Sequence, residues 1–208
     1  MFPFRPFAIH KRLFPECLWE VKASQKTIYL TFDDGPTEIV TDYVLDQLDQ
    51  FNAKATFFLI GQNVQQHPKL AQKLKAAGHQ VGNHTQHHVS GWKVKSHEYA
   101  SEVELCDREL ANLKISSPFF RPPYGRIRPA QAKPLSRDKR IVMWSYLTGD
   151  FDSNLNVEKS LSGIKKLKSG AIIVFHDSQK AFSNLKKLLP ETLSYFAAQG
   201  FIFKTIPE

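Results

Sequence analysis

Cysteine is nearly absent from this sequence. Its two thiols, Cys17 and Cys106, lie 89 positions apart with no CxxC or other metal-type spacing. They spell neither a disulfide framework nor a thiolate metal site, and they read as buried thiols in a reducing or redox-indifferent setting. Long apolar runs are missing too. The longest, around 55–60 and 171–175, fall far short of the ~20 residues that cross a bilayer as a helix, which excludes a helical membrane span. At the amino terminus, Arg5, His10, Lys11 and Arg12 break the continuous apolar core a secretory signal needs, so the expected location is cytoplasmic. No repeat, linker or low-complexity tract divides the chain.

Negative charge is the minority: 20 Asp plus Glu stand against 28 Lys plus Arg, for a net +8 over 208 residues. Such an excess can serve an anionic partner. Its densest clusters, Lys165, Lys166 and Lys168, then Lys186 and Lys187, fall on segments with amphipathic helical spacing, where solvated lysines are ordinary. No nucleic-acid-binding module accompanies them, so no nucleic-acid partner is expected. With 42% hydrophobic and 12% aromatic residues the chain can fill a core, and at this length folding should bury roughly 70% of the surface exposed when unfolded. Intrinsic disorder is excluded on that composition.

Seven β-rich runs are present, at 27–32, 55–60, 80–83, 119–121, 140–146, 171–176 and 201–206. Between them lie helical segments. The clearest carries Tyr99, Val103, Cys106, Leu110 and Leu113, whose steps of four and three keep one face apolar. Alternation of strand and helix predicts an α/β fold with parallel strands and crossover helices. IVMW and AIIVF lack polar alternation, as expected of strands covered on both faces. Either an open doubly wound sheet or a reduced barrel satisfies this pattern.

Polar residues gather at the carboxyl ends of these runs: Asp33 and Asp34 before Gly35 and Pro36, His84 and His88, Arg121, Asp150, then His176. In parallel α/β folds active sites are built on that edge. Adjacent Asp33 and Asp34 would point to opposite faces of a strand unless a sharp turn turns one of them, and two ionised carboxylates so close require a cation nearby. His84 and His88 are four apart. On a helical turn they would share a face, and with one carboxylate they make a divalent-metal donor set. Prolines 122 and 123 stiffen the loop that holds Arg121. His176 ends an apolar strand and needs a partner if buried, which Asp150 could supply. The remaining histidines, at 10, 67, 79, 87 and 97, read as surface or local-packing residues. Trp92 and Tyr124 could stack on sugar rings, although packing is the commoner role of such residues.

TFDDGP at 31–36, HTQHH at 84–88, RPPYG at 121–125, WSYLTGDFD at 144–152 and VFHD at 174–177 together resemble, in order and spacing, the five successive motifs of the polysaccharide deacetylases, the NodB-homology carbohydrate esterases. The resemblance covers roughly residues 27–206. It implies a distorted seven-stranded (β/α) barrel forming a single domain, 1–208, with 1–26 as an N-terminal extension packed on it. It also implies a metal-dependent hydrolase that removes acetyl groups from N-acetylated sugars of an acetylated glycan. Asp34, His84 and His88 would hold a divalent ion, usually Zn2+, sometimes Co2+ or another metal. Asp33 would be the general base, Arg121 its orienting partner, His176 the general acid and Asp150 the residue that tunes it, while the Tyr124 backbone N–H would help bind the oxyanion. Hydrolysis of O-acetyl esters, or a catalytically silent carbohydrate-binding relative, are the alternatives. A monomer is expected. Phe151 and Val174 stand where the family often has Trp and Leu; both changes keep an apolar wall and alter the shape of the pocket.

Overall fold

A computed structural model describes residues 5, 6 and 8–208; positions 1–4 and 7 of the expected N-terminal extension lie outside the described residues. The strands are β1 Thr27–Asp33, β2 Ala55–Leu59, β3 Gln80–Asn83, β4 Phe119–Phe120, β5 Arg140–Ile141, β6 Tyr146–Leu147, β7 Ile172–His176 and β8 Ile202–Phe203. They pair in parallel in the order β5-β4-β3-β2-β1-β7-β6, with β8 on β1. The run 140–146, expected as one strand, is two short ones. Its first half pairs with β4, where the Val142 N–H donates to the Phe120 carbonyl at 2.8 Å; its second half serves β7, where the Ser145 N–H donates to the Ile172 carbonyl at 2.9 Å. One bent segment therefore joins the two ends of the row, and the sheet curls into a distorted barrel.

The N-terminal segment explains the bend. Leu18 donates to the Ile141 carbonyl at 2.8 Å and accepts from the Met143 N–H at 2.7 Å, while Val21 donates to Gly170 at 2.9 Å. These bonds satisfy backbone groups that would otherwise be stranded between β4 and β7. β8 is inserted in a similar way: the Ile202 N–H donates to Lys26 at 2.9 Å and the Lys54 N–H to Phe203 at 3.2 Å. It thus wedges between the starts of β1 and β2.

Strand alternation sorts the core into layers. Ile28, Leu30 and Phe32 of β1 join Phe57 and Phe175 in the layer beneath the helices, where the Phe32 ring lies 4.9 Å from Phe57 and 5.7 Å from Phe175. Tyr29 packs with Phe58, Phe119, Val142 and Ile172 in a separate cluster. That cluster fills the barrel. Residues two or four further along the same faces, Arg121 after Phe119, Asp33 after Tyr29 and His176 after Ile172, therefore arrive at the barrel mouth. Of the helical stripe read from sequence, Tyr99, Val103, Cys106 and Leu110 are buried within the helix Ser96–Asn112 and Leu113 is its C-cap, and both cysteines are free and buried. No helix of the described residues is long and apolar enough to cross a membrane.

Candidate active site

Asp33 and His176 sit side by side in the register of β1 and β7. Asp33 stays on the inner face of its strand, whereas Asp34 leaves it in the left-handed region, at φ 77°, a conformation Asp tolerates better than most residues. This single change of backbone lets two consecutive carboxylates serve one site.

Arg121 is fully buried at the end of β4. Its Nη1 donates to Asp33 Oδ1 at 2.6 Å and to Thr31 Oγ1 at 2.8 Å, Nε donates to the Val142 carbonyl at 3.1 Å, and Nη2 to the Met143 carbonyl at 2.9 Å. The guanidinium carbon also lies 4.1 Å from the Phe58 ring centroid. Burial pulls the Arg121 pKa down and the Asp33 charge pushes it back, so the cation stays and holds its carboxylate in one orientation. The bend at 142–143 supplies two of these acceptors.

His84 and His88 meet, but on a loop rather than on the helical turn their spacing suggested. Thr85 and His88 take positive φ of 66° and 53°, and the loop is clamped from both sides. The Thr85 N–H donates to Asn83 Oδ1 at 2.8 Å, and Asn83 Nδ2 donates to the Val103 carbonyl and to Asp107, each at 2.8 Å. His84 Nδ1 lies 2.7 Å from the Arg121 carbonyl. A carbonyl only accepts, so the proton sits on Nδ1 and the Nε2 lone pair is left facing inward. Burial lowers the His84 pKa to about 4, against the opposing pull of Asp33, which keeps the ring neutral at pH 7.

Asp34 Oδ1 lies 3.6 Å from His84 Nε2 and 3.2 Å from His88 Nε2. It is buried and has no donor in hydrogen-bonding geometry. Burial alone would raise this carboxyl, but the imidazole of His88 and the charge of His176 outweigh it and hold the group well below the ordinary carboxylate range. One ligand atom from each of the three residues falls within 4.8 Å of the others. A carboxylate oxygen orphaned among imidazole nitrogens is costly by itself, and this donor set fits one divalent cation with positions left open.

Across the mouth, His176 Nδ1 lies 2.7 Å from Asp150 Oδ1, and its backbone N–H donates to Asp150 Oδ2 at 2.8 Å. Asp150 is fully buried. Burial would lower the His176 pKa, but Asp150, with Asp34 and Asp33 behind it, raises it to about 9. Phe151 sets its ring edge-on to the imidazole at 5.0 Å. Tyr124, at φ 59°, lays its ring 4.5 Å from that of His88. Trp92 and Tyr124 are both more than half exposed.

Sequence reasoning overlooked two contributors. Thr31 accepts from Arg121 and donates to the Ile173 carbonyl at 2.8 Å; its place two residues before Asp33 on the same face was the available signal. Asp177 is fully buried behind the 33–36 turn, where its N–H donates to the Asp33 carbonyl at 3.0 Å and its carboxylate accepts from Thr41 at 2.6 Å. Burial pushes its pKa up to about 7. Of the histidines set aside, His87 pairs with Glu102 at 3.0 Å and His67 with Glu38 at 3.4 Å, while His79 is buried and accepts from the Ala55 N–H.

A family model described as polysaccharide deacetylase matches residues 20–139. A peptidoglycan-N-acetylglucosamine deacetylase of Bacillus cereus is 34% identical over 194 residues, covering 91% of each chain. Against a peptidoglycan-N-acetylglucosamine deacetylase of Listeria monocytogenes the identity is again 34%, over 89% of this chain and 39% of that longer one. Among solved structures, the Bc1960 peptidoglycan N-acetylglucosamine deacetylase superposes with a TM-score of 0.87 at 29% identity, covering 97% of this chain and 95% of the other. The matched region carries both aspartates, both histidines and Arg121, and the longer alignments reach the acid side of the mouth. By sequence over most of its length and by fold, the chain belongs to the polysaccharide deacetylase family.

Proposed function

We propose that this chain is a metal-dependent hydrolase that removes acetyl groups from N-acetylated sugars, with zinc as the ion and a peptidoglycan-type glycan as the substrate. One observation carries the reading: the orphaned Asp34 oxygen faces two imidazole nitrogens beside an Asp33 held apart from them by Arg121.

An amide resists hydrolysis because its carbonyl is a weak electrophile and its nitrogen a poor leaving group. Asp34, His84 and His88 would hold a divalent ion, which when bound would supply Lewis acidity towards the carbonyl and acidify water. Asp33 takes the proton from the attacking water. Arg121 keeps that carboxylate pointed at the mouth and balances its charge, so that the oxygen not engaged by the guanidinium remains the basic one. On the far side, Asp150 fixes the His176 Nδ1 proton and leaves Nε2 to deliver the second proton. With a pKa of about 9 the imidazolium is the resting form at neutral pH, as a general acid requires. The amine departs as it is protonated, and the products are acetate and the free amino sugar. The Tyr124 N–H would share the developing negative charge.

The relatives named as peptidoglycan deacetylases support the choice of glycan. The test is acetate release by zinc-loaded protein from peptidoglycan, chitin and xylan fragments. Release from the acetamido glycans, lowered about 10²–10⁴-fold by Asp33→Asn, is the expected result; no acetate from any fragment overturns the reading.

A further inference from the structure

Arg126 stands apart from the other arginines around this mouth. Arg121 directs its donors at Asp33, Thr31 and two carbonyls, and Arg128 directs its own at the Val94 and Trp92 carbonyls. The Arg126 side chain makes no hydrogen bond or ion pair among the described residues. It is nevertheless not loose. Its guanidinium carbon lies 5.2 Å from the Trp92 ring centroid and 5.9 Å from that of Tyr124, a cation flanked by two aromatic rings.

Those rings are themselves fixed. The Trp92 indole N–H donates to the Ile127 carbonyl at 3.3 Å. The Gly91 N–H donates to the Arg126 carbonyl at 3.1 Å, and Gln131 Nε2 to the Gly91 carbonyl at 2.9 Å. The segments at 91–92 and 124–127 thus form one unit. Tyr124 joins that unit to the ion site, since its ring lies 4.5 Å from that of His88. The rings, 57% and 58% exposed, offer apolar faces to solvent one side chain outward from the donor set. Such faces suit the C–H face of a sugar ring, and a planar guanidinium with unused donors suits a carboxylate, which it can grip through two parallel bonds.

We propose that Arg126, set between Trp92 and Tyr124, determines specificity by binding a carboxylate carried on the sugar next to the one being deacetylated. This rests on the deacetylase reading of the site. It adds a contact that acts through substrate binding and leaves Asp33 and His176 to the chemistry. A neutral glycan would meet the same rings and leave the guanidinium unmatched.

The test uses the zinc-loaded full chain and two disaccharides that differ at one group. Each carries an N-acetylglucosamine beside a sugar bearing an O-lactyl substituent, as the free acid in one and the methyl amide in the other. Acetate release gives kcat and KM for both. The wild type is expected to favour the free acid by about tenfold in kcat/KM, the size of one charge-assisted contact, with the difference in KM. Arg126→Gln is expected to bring that ratio close to one, and Arg126→Lys to keep part of it. Because each variant is compared with itself on two substrates, altered folding does not mimic the effect. Equal kcat/KM for the two substrates in the wild type, or a ratio unchanged in Arg126→Gln, overturns the proposal while the deacetylase reading stands. No acetate from either substrate overturns both.

Discussion

A guanidinium without solvent contact is tolerable at Arg121 only because its donors have partners: a carboxylate, a hydroxyl and two carbonyls. The dependence runs the other way as well, since Asp33 is 4% exposed and its carboxylate accepts from that guanidinium at 2.6 Å. Replacing Arg121 by Met leaves a buried carboxylate uncompensated, and a loss of about 3–5 kcal/mol is expected in urea unfolding, together with loss of turnover. The pair of His176 and Asp150 gives a pH signature. His176 has its pKa raised from 6.5 to about 9, so the protonated acid is present below about 9, and kcat/KM should fall as pH rises through that value. Asp150→Asn removes the charge and should move the alkaline limb to lower pH. In stability terms the raised folded-state pKa means the pair's contribution is complete below 6.5 and is lost as pH rises through about 9. Urea midpoints across that window measure it.

Periodicity makes part of the site legible at the level of elements. Tyr29, Thr31 and Asp33 share one strand face, and the same rule carries Phe119 to Arg121 and Ile172 to His176, so the convergence of those side chains could be read from spacing alone. The loop 83–88 could not be read in this way. Its i, i+4 histidines suggested a helix, but the structure closes the pair through two left-handed residues and an Asn83 side chain tied to Val103 and Asp107, a long-range clamp that no local pattern announces. The division of 140–147 into β5 and β6 was hidden for a similar reason: the backbone hydrogen bonds that hold its bend come from Leu18, more than a hundred residues away. Gly35 shows how tightly the turn after β1 is fitted. A Cβ there would fall 2.1 Å from Asp177 Oδ2. Gly35→Ala should therefore cost about 1–3 kcal/mol, and adding Asp177→Ala should recover part of that cost, a non-additivity visible in a double-mutant cycle.

Over the whole molecule, the barrel serves as a frame that brings residues from five distant segments to one rim. The alternation of strand and helix announced the frame, and the five motifs announced its contents. Arg126 escaped both because its role depends on being flanked by rings from another segment. Turnover at this mouth requires Asp34, His84 and His88 to act together on one cation while Asp33, their neighbour, takes no part in holding it. Zinc titration calorimetry on the metal-free full chain tests this directly. The account predicts one ion bound per chain in the wild type and in Asp33→Asn, and loss of that binding in a folded His84→Ala. An ion bound by His84→Ala as tightly as by the wild type would contradict it.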